Sequence, residues 1–100
     1  MPTERRAAVS LIAPHYRVYV IECRARTGRV TVHVGIALRV AHRVFEHATG
    51  KVVATRGRLV TWLGNSERMP HGDALRLEAQ LKKKSPYQKR AWAEQQEEHA

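Results

Sequence analysis

The sequence predicts an α+β domain in which helices flank a small three-stranded antiparallel sheet, in the order β-β-α-β-α-α. Two alternating, β-branched segments at residues 17–23 and 29–34 predict a hairpin around a polar turn that contains Gly28. After the hairpin, the hydrophobic period changes from that of a strand to that of a helix, without the crossovers of a parallel sheet. These observations indicate an antiparallel sheet covered by helices.

The first helix and the third strand follow the hairpin. Residues 37–48 place valine, alanine and phenylalanine side chains on one helical face, and Gly50 ends the helix. Residues 59–63 are apolar, β-branched and aromatic, which is typical of a strand. We expect Trp62 to lie in the core and residues 64–72 to form a loop.

Two more helices are expected towards the C-terminal end of the sequence. Leucine and alanine recur at helical spacing within residues 73–84, and this segment ends in consecutive lysines. The third helix begins with a serine, a proline at the first helical position and a glutamine three residues after the serine, which is the pattern of a capping box. These residues are Ser85, Pro86 and Gln88, and we expect Tyr87 and Trp92 to anchor the helix.

The charge of the chain indicates its partner. Its 100 residues correspond to one domain, expected at residues 15–100 after a flexible leader at residues 1–14. Lysine and arginine number 18 against 9 aspartates and glutamates, a net charge of +9. Most of this positive charge is arginine, which can bind phosphate through two parallel hydrogen bonds. The composition predicts a nucleic acid partner, with DNA expected, and binding that weakens as salt rises.

Cysteine content and hydropathy limit the cellular compartments that suit the protein. The single cysteine, Cys23, excludes an internal disulfide, and we expect it to be a small buried apolar residue in a reducing environment. No segment approaches the roughly 18 consecutive apolar residues that a membrane span requires. The sequence therefore favours a cytoplasmic protein without a membrane partner.

Two local patterns single out residues that could carry chemistry. Glu78 falls inside the apolar arc of the second predicted helix, where a carboxylate is costly unless it is paired or binds a cation. Arg43 and His47 are four residues apart on the first predicted helix, so they share a face that suits a phosphate oxygen. An ion pair at Glu78, and an ordinary solvated face at Arg43 and His47, are the alternatives that these patterns leave open.

The order of these features resembles the GIY-YIG nuclease superfamily. The similarity is greatest to its stand-alone, single-domain bacterial members, which are related to the N-terminal nuclease domain of the excision-repair subunit UvrC. Arg17-Val18-Tyr19 stands in the position of the first motif and His33-Val34-Gly35 in that of the second. Arg43 follows at the spacing of the family's catalytic arginine, and residues 73–78 resemble the segment with the metal-binding glutamate. Both motifs are degenerate: the first lacks glycine and isoleucine, and His33 replaces the second tyrosine.

The resemblance implies an endonuclease that hydrolyses DNA phosphodiester bonds with one metal ion. Structure-specific cleavage in repair or recombination is the expected setting. By resemblance, Glu78 would hold the Mg²⁺ or Mn²⁺ ion, and Arg43 would stabilise the charge of the phosphate. Tyr19 would orient or deprotonate the attacking water with His33 as its helper, and His47 would contact phosphate or relay a proton. The residues expected to follow the nucleic acid backbone are Arg39, Lys51, Arg56, Arg58, Lys82, Lys83 and Lys84.

Two other functions remain open. The altered motifs are compatible with a nucleic-acid-binding module of the same fold that is impaired in catalysis. A small interaction protein attached to a repair or ribonucleoprotein partner would also explain the charge, and it predicts Glu78 in an ion pair away from Tyr19. A protein partner for targeting is expected as well, because no targeting domain accompanies the predicted nuclease domain.

Overall fold

A computed structural model describes residues 14–96 of the chain. Its strands are β1 (His15–Arg24), β2 (Val30–Ala37), β3 (Leu59–Asn65) and β4 (Met69–Pro70). Its helices are α1 (Val40–Ala48), α2 (His71–Lys82) and α3 (Pro86–Gln95), with one 3-10 turn at Val53–Thr55. The predicted α+β class, with a small antiparallel sheet and three helices, is confirmed. The predicted leader at residues 1–14 lies outside the described residues except for its last residue.

Strand β1 is the centre of the sheet. It pairs antiparallel with β2 on one side and with β3 on the other, and its first residues also pair with β4. Successive side chains of a strand point to opposite faces, and here both faces are buried. Val18 and Val20 lie on one face, and Tyr19, Ile21 and Cys23 on the other. The predicted burial of the cysteine is thereby confirmed.

Helix α1 covers the face of the sheet that carries the tyrosine. It begins at Val40, later than predicted, because β2 continues to Ala37. Val40 and Val44 pack against the sheet, but Phe45 is 58% exposed, so its predicted place on the buried face is wrong. The helix is instead rotated so that His47 is buried in its last turn. A buried imidazole requires hydrogen-bond partners, which the sheet and the following turn provide.

Helices α2 and α3 cover the opposite face. Ala74 and Leu81 of α2 pack with Val18, and Ala93 of α3 packs with Val20. Helix α2 begins two residues before the predicted start at residue 73 and ends at Lys82. Within residues 14–96, no helix is both long and apolar enough to cross a bilayer.

Helix α3 has the predicted N-terminal cap. The Ser85 hydroxyl accepts a hydrogen bond from the backbone N–H of Gln88 at 3.2 Å, and the Ser85 N–H donates to the Gln88 side chain at 3.1 Å. Pro86 occupies the first helical turn. Trp92 packs against the buried residues of that face, as predicted. Tyr87 is 79% exposed, so it does not anchor the helix.

Strand β3 differs from its prediction through a bulge. The strand extends to Asn65, and β4 with the start of α2 occupies the end of the predicted loop at residues 64–72. The register with β1 shifts so that Leu63 is an extra residue on β3. The bulge puts Trp62 on the face that α1 covers, and Trp62 is 41% exposed instead of lying in the core.

A candidate active site around Tyr19

Tyr19 crosses the backbone of the neighbouring strand at a glycine. It is only 3% exposed, and its partner in the β1–β2 register is Gly35. A Cβ atom on Gly35 would lie 2.4 Å from the Tyr19 hydroxyl oxygen, far inside van der Waals contact. The tyrosine of the first predicted motif and the glycine of the second are therefore structurally dependent on each other, since any side chain at Gly35 would displace the phenol.

The Tyr19 hydroxyl lies 2.9 Å from Nε2 of His47. The other ring nitrogen, Nδ1, lies 2.8 Å from the hydroxyl of Thr55, which is fully buried in the 3-10 turn after α1. His47 is 6% exposed. Both ring nitrogens of this nearly inaccessible imidazole therefore have a protein partner in place of water. The phenol, imidazole and hydroxyl form one chain of hydrogen bonds from β1 through α1 to the turn.

The direction of this chain follows from Thr55. Its hydroxyl also faces the backbone carbonyl of Val52, 3.5 Å away, as donor. In that orientation the hydroxyl oxygen accepts from the Nδ1–H of His47, which leaves the lone pair of the neutral imidazole on Nε2. Nε2 then accepts the proton of the Tyr19 hydroxyl. The arrangement therefore points a proton acceptor at the phenol.

Two charged residues of α1 border this chain. The Arg43 guanidinium interacts with the Tyr19 hydroxyl, and this contact raises the pKa of the arginine. Arg43 also lies 3.6 Å from the Glu46 carboxylate, one turn along the helix. We call Tyr19, Arg43, His47 and Thr55 the Tyr19 cluster. It brings an acceptor, Nε2 of His47, and a cationic donor, the Arg43 guanidinium, within reach of the Tyr19 oxygen.

The pKa shifts of the two central groups are opposite. Burial raises the pKa of Tyr19, and the charges of Glu78 and Glu46 raise it further, while Arg43 opposes them. Burial lowers the pKa of His47, and the charges of Arg43 and His33 lower it further. At neutral pH the cluster therefore holds a protonated phenol next to a neutral imidazole. Arg43 does lower the pKa of Tyr19, as a neighbouring cation should, but burial of the phenol outweighs it.

Glu78 acts on the same phenol from α2. Its side chain is 17% exposed, and its Oε2 atom lies 3.6 Å from Nζ of Lys82, whose side chain is 58% exposed. The partner is thus the lysine one helical turn later, and the carboxylate is still near enough to Tyr19 to raise its pKa. The ion pair and the proximity to Tyr19 occur together, although the sequence presented them as alternatives.

Glu78 is the residue that the resemblance assigns to a divalent cation. Among the described residues, no three histidine, cysteine, aspartate or glutamate side chains form a group that could hold a metal ion. Mg²⁺ commonly takes one or two carboxylates and completes its shell with water and substrate phosphate. A single carboxylate that faces a lysine is not by itself a metal site, and the metal role of Glu78 stays a prediction.

His33 has different neighbours. It lies opposite Ile21 in the register, and its Nε2 atom is 3.0 Å from the Thr31 hydroxyl. Burial lowers the pKa of His33, and the charges of Arg58 and Lys89 lower it further. Its charge acts on His47 rather than on the Tyr19 phenol. The imidazole that hydrogen-bonds the phenol is therefore that of His47.

The predicted backbone-binding residues are spread over the surface. Arg39, Lys51, Lys83 and Lys84 are exposed, and Lys82 is the partner of Glu78. The Arg56 side chain donates to the Gly50 carbonyl at 2.8 Å, so it also closes the turn after α1. Arg58 is half-buried and donates to the Thr31 hydroxyl at 3.4 Å, beside His33. Their contacts with nucleic acid stay predictions.

Two residues of the site were missed in the sequence. Glu46 had a local signal, because a carboxylate three residues after Arg43 shares its helix face. Thr55 had none: it belongs to a connector whose only sequence signal is its basic charge, and its contact with His47 depends on how the chain turns at Gly50.

Comparison of the chain with protein-family models, with curated proteins and with solved structures finds no match. The resemblance to the GIY-YIG nucleases therefore stays a prediction from motif order and spacing.

Proposed function

We propose that the protein is a metal-dependent endonuclease of the GIY-YIG type that hydrolyses DNA phosphodiester bonds, with structure-specific cleavage in repair or recombination. The observation that carries the proposal is the surroundings of the Tyr19 hydroxyl, which lies over Gly35 and 2.9 Å from Nε2 of His47. Arg43 and Glu78 act on the same oxygen from two helices. The net charge of +9 supports a polyanionic substrate.

Tyr19 and His47 can move a proton together. In the proposed reaction, a water molecule attacks the phosphorus and gives its proton to the phenol oxygen, while the phenol proton passes to Nε2 of His47. The leaving oxygen departs as its bond to phosphorus breaks. The raised pKa of Tyr19 keeps its proton in place beforehand, and the lowered pKa of His47 keeps the acceptor neutral. Both shifts favour this relay over a free phenolate base.

Arg43 and Glu78 supply the electrostatic part of the proposal. Arg43 favours negative charge beside the Tyr19 oxygen, which suits a phosphate whose charge grows during attack. Glu78 would hold a Mg²⁺ or Mn²⁺ ion, with Lys82 turning aside into solvent. A bound divalent cation would supply charge neutralisation at the phosphate and the leaving oxygen.

The test is nicking of flapped, branched and duplex DNA with Mg²⁺ or Mn²⁺. We expect metal-dependent cleavage by the wild type, and a loss of about 10²–10³-fold in Arg43→Ala, the usual consequence of removing one transition-state donor. Glu78→Gln keeps the size of the side chain and removes the charge, so its residual cleavage should require more metal. Binding of uncut DNA in EDTA should be unchanged in Glu78→Gln.

Matched controls use the same residue types away from the cluster. Arg76→Ala removes an exposed arginine of α2 whose partner is Asp73, and Glu94→Gln removes an exposed carboxylate of α3. Both should cleave like the wild type. Retention of full cleavage by both Arg43→Ala and Glu78→Gln would refute the site assignment.

One observation favours a second function, a nucleic-acid-binding module impaired in catalysis. His33 stands where the family has a tyrosine, and it bonds Thr31 instead of facing the Tyr19 phenol. This candidate predicts salt-dependent DNA binding without cleavage in any divalent metal. The cleavage assay separates the two functions directly. A cytoplasmic location and a protein partner for targeting stay predictions from sequence.

A further inference from the structure

A second feature of the structure lies between α1 and β3. It is an open cavity of about 620 Å³, which is in the size range of small-molecule sites. Its lining residues include Arg17, Leu38, Arg39, Trp62, Asn65 and Arg68. We call this cavity the Trp62 pocket. None of the residues of the Tyr19 cluster lines it.

The bulge at Leu63 builds this pocket. Without the extra residue, Trp62 and Asn65 would face opposite sides of the sheet, because they are three positions apart on one strand. With the bulge, both point to the α1 face and line the same cavity. A bulge that re-aims a side chain is a typical feature next to functional sites.

The lining combines apolar side chains with arginines. Leu38 and Trp62 are 47% and 41% exposed, although large apolar side chains of a small domain are usually better covered. Among residues 14–96, three arginines and no acidic residue belong to the lining. Arg17 is oriented by a hydrogen bond from its guanidinium to the Ser66 carbonyl at 3.1 Å. The pocket therefore suits a ligand with a flat, weakly polar body and negative charge on its periphery.

We propose that the Trp62 pocket holds one unpaired nucleotide of the nucleic acid, with its base against Trp62 and the α1 valines and its phosphates facing the arginines. This inference rests on the proposed nuclease function, whose substrate class it narrows to nucleic acid with a single-stranded segment beside the cut. Unpaired bases expose flat faces that stack on aromatic side chains, whereas the faces of bases in a duplex are already stacked.

The position along α1 supports this assignment. Arg39 lines the pocket, and Arg43 of the Tyr19 cluster lies one helical turn later, a rise of about 6 Å. A strand that follows α1 can therefore place one phosphate at Arg43 and the adjoining nucleotide in the Trp62 pocket. The two sites would then bind neighbouring parts of the same strand.

The experiment measures binding in EDTA, so that cleavage cannot interfere. The probes are a labelled oligothymidylate of about 12 nucleotides, within the range that small single-strand-binding folds cover, and a duplex of the same length. We expect Trp62→Leu to weaken binding of the single strand about tenfold, the effect of losing one base stack. Binding of the duplex should change less than about twofold. Arg39→Ala should make the salt dependence shallower, by about 0.7 in the log–log slope.

Two measurements keep the result interpretable. Tyr87→Leu removes an aromatic residue that is 79% exposed and lies outside the pocket, and it should bind both probes like the wild type. In a Trp92→Phe background Trp62 is the one tryptophan of the chain, so quenching of its emission by the oligothymidylate reports contact even if Trp62→Leu folds poorly. An unresponsive emission would assign the pocket to another occupant, such as a second copy, and overturn the proposal.

The failure of this inference can be distinguished from failure of the proposed function. Suppose that the protein cleaves DNA and that Trp62→Leu binds each probe as tightly as the wild type does. The nucleotide would then not occupy the pocket, and the nuclease proposal would be unaffected. Absence of cleavage with a selective loss of single-strand binding in Trp62→Leu would support the pocket in a protein that binds without cutting. Equal losses for single strand and duplex would also overturn the proposal, because base stacking would not explain them.

Discussion

The Tyr19 cluster and the Trp62 pocket border the same helix but differ in burial and in hydrogen bonding. In the cluster, buried groups are joined by hydrogen bonds of 2.8 and 2.9 Å, and each depends on the position of the next. In the pocket, an exposed tryptophan and arginine side chains surround an open cavity. Directional chemistry needs the first arrangement, and holding a polyanion needs only the second. Single-atom changes should therefore affect cutting at the cluster and binding at the pocket.

The largest expected effect is that of Tyr19→Phe. This change removes one oxygen, and with it both the contact to Nε2 of His47 and the path for the proton. We expect cleavage to fall by about 10²–10⁴-fold, the range for loss of a general acid–base group, while binding of single-stranded DNA in EDTA is unchanged. Single-turnover cleavage and equilibrium binding measure the two effects. A parallel loss of binding would contradict the separation of cluster and pocket.

Gly35→Ala tests the same contact from the other side. The added methyl group would begin 2.4 Å from the Tyr19 hydroxyl, so the phenol must move or the strands must separate. Overpacking of this kind costs about 1–3 kcal/mol in the free energy of unfolding, and displacement of the phenol should reduce cleavage about 100-fold. Chemical denaturation and the nicking assay measure these effects.

Gly72→Ala is the matched control for that change. A Cβ atom there would meet only the Arg76 side chain at 3.7 and 3.9 Å, an ordinary van der Waals distance. Gly72 lies in α2, where alanine is the better helix former, so stability should stay the same or rise slightly. Equal behaviour of the two variants would show that the phenol does not depend on Gly35.

Thr55→Val should have a smaller effect, through His47. The substitution leaves the shape of the side chain and removes the hydroxyl that accepts from Nδ1 of His47. An unpaired buried N–H costs about 1–3 kcal/mol in the free energy of unfolding. We also expect cleavage about tenfold slower with an altered pH profile, because the proton of His47 is no longer fixed on Nδ1. Thr55→Ser should restore both, and failure of that rescue would contradict the positioning role.

The fold was predictable wherever local periodicity decides the structure. The strict alternation at 29–34 and the helical spacing at 73–84 depend on burial of one face, and both elements formed close to those bounds. The capping box of Ser85 and Gln88 was predictable because all its atoms belong to four adjacent residues. The bulge at Leu63 was not, because it is set by pairing with β1, about forty residues away in sequence.

The sequence singled out three of the four residues of the Tyr19 cluster, but not Thr55 and not the hydrogen bonds that join them. Motif order singled out Tyr19 and Arg43, and helical spacing put His47 beside Arg43. The burial of His47 was missed, since periodicity assigned Phe45 to the core and an imidazole to solvent. His47 is buried because Tyr19 and Thr55, which lie outside the helix, hydrogen-bond its two ring nitrogens. A helical projection shows only residues of the helix and cannot include these contacts.

The smallest expected effect is a pH dependence of stability that distinguishes the cluster from the rest of the chain. Burial lowers the folded-state pKa values of His47 and His33 below 6.5, so the unfolded chain takes up protons first as the pH falls. The stability that the neutral imidazoles contribute is complete above pH 6.5 and is lost as the pH falls through their folded-state pKa values. Denaturation between about pH 5.5 and 7.5, where most carboxylates are ionised, should show this loss. His47→Gln should reduce the slope and also slow cleavage, though no more than Tyr19→Phe does, whereas His33→Asn should reduce the slope while the proton relay survives. Loss of cleavage in His33→Asn would instead make His33 part of the relay, and the cluster would then extend across β2.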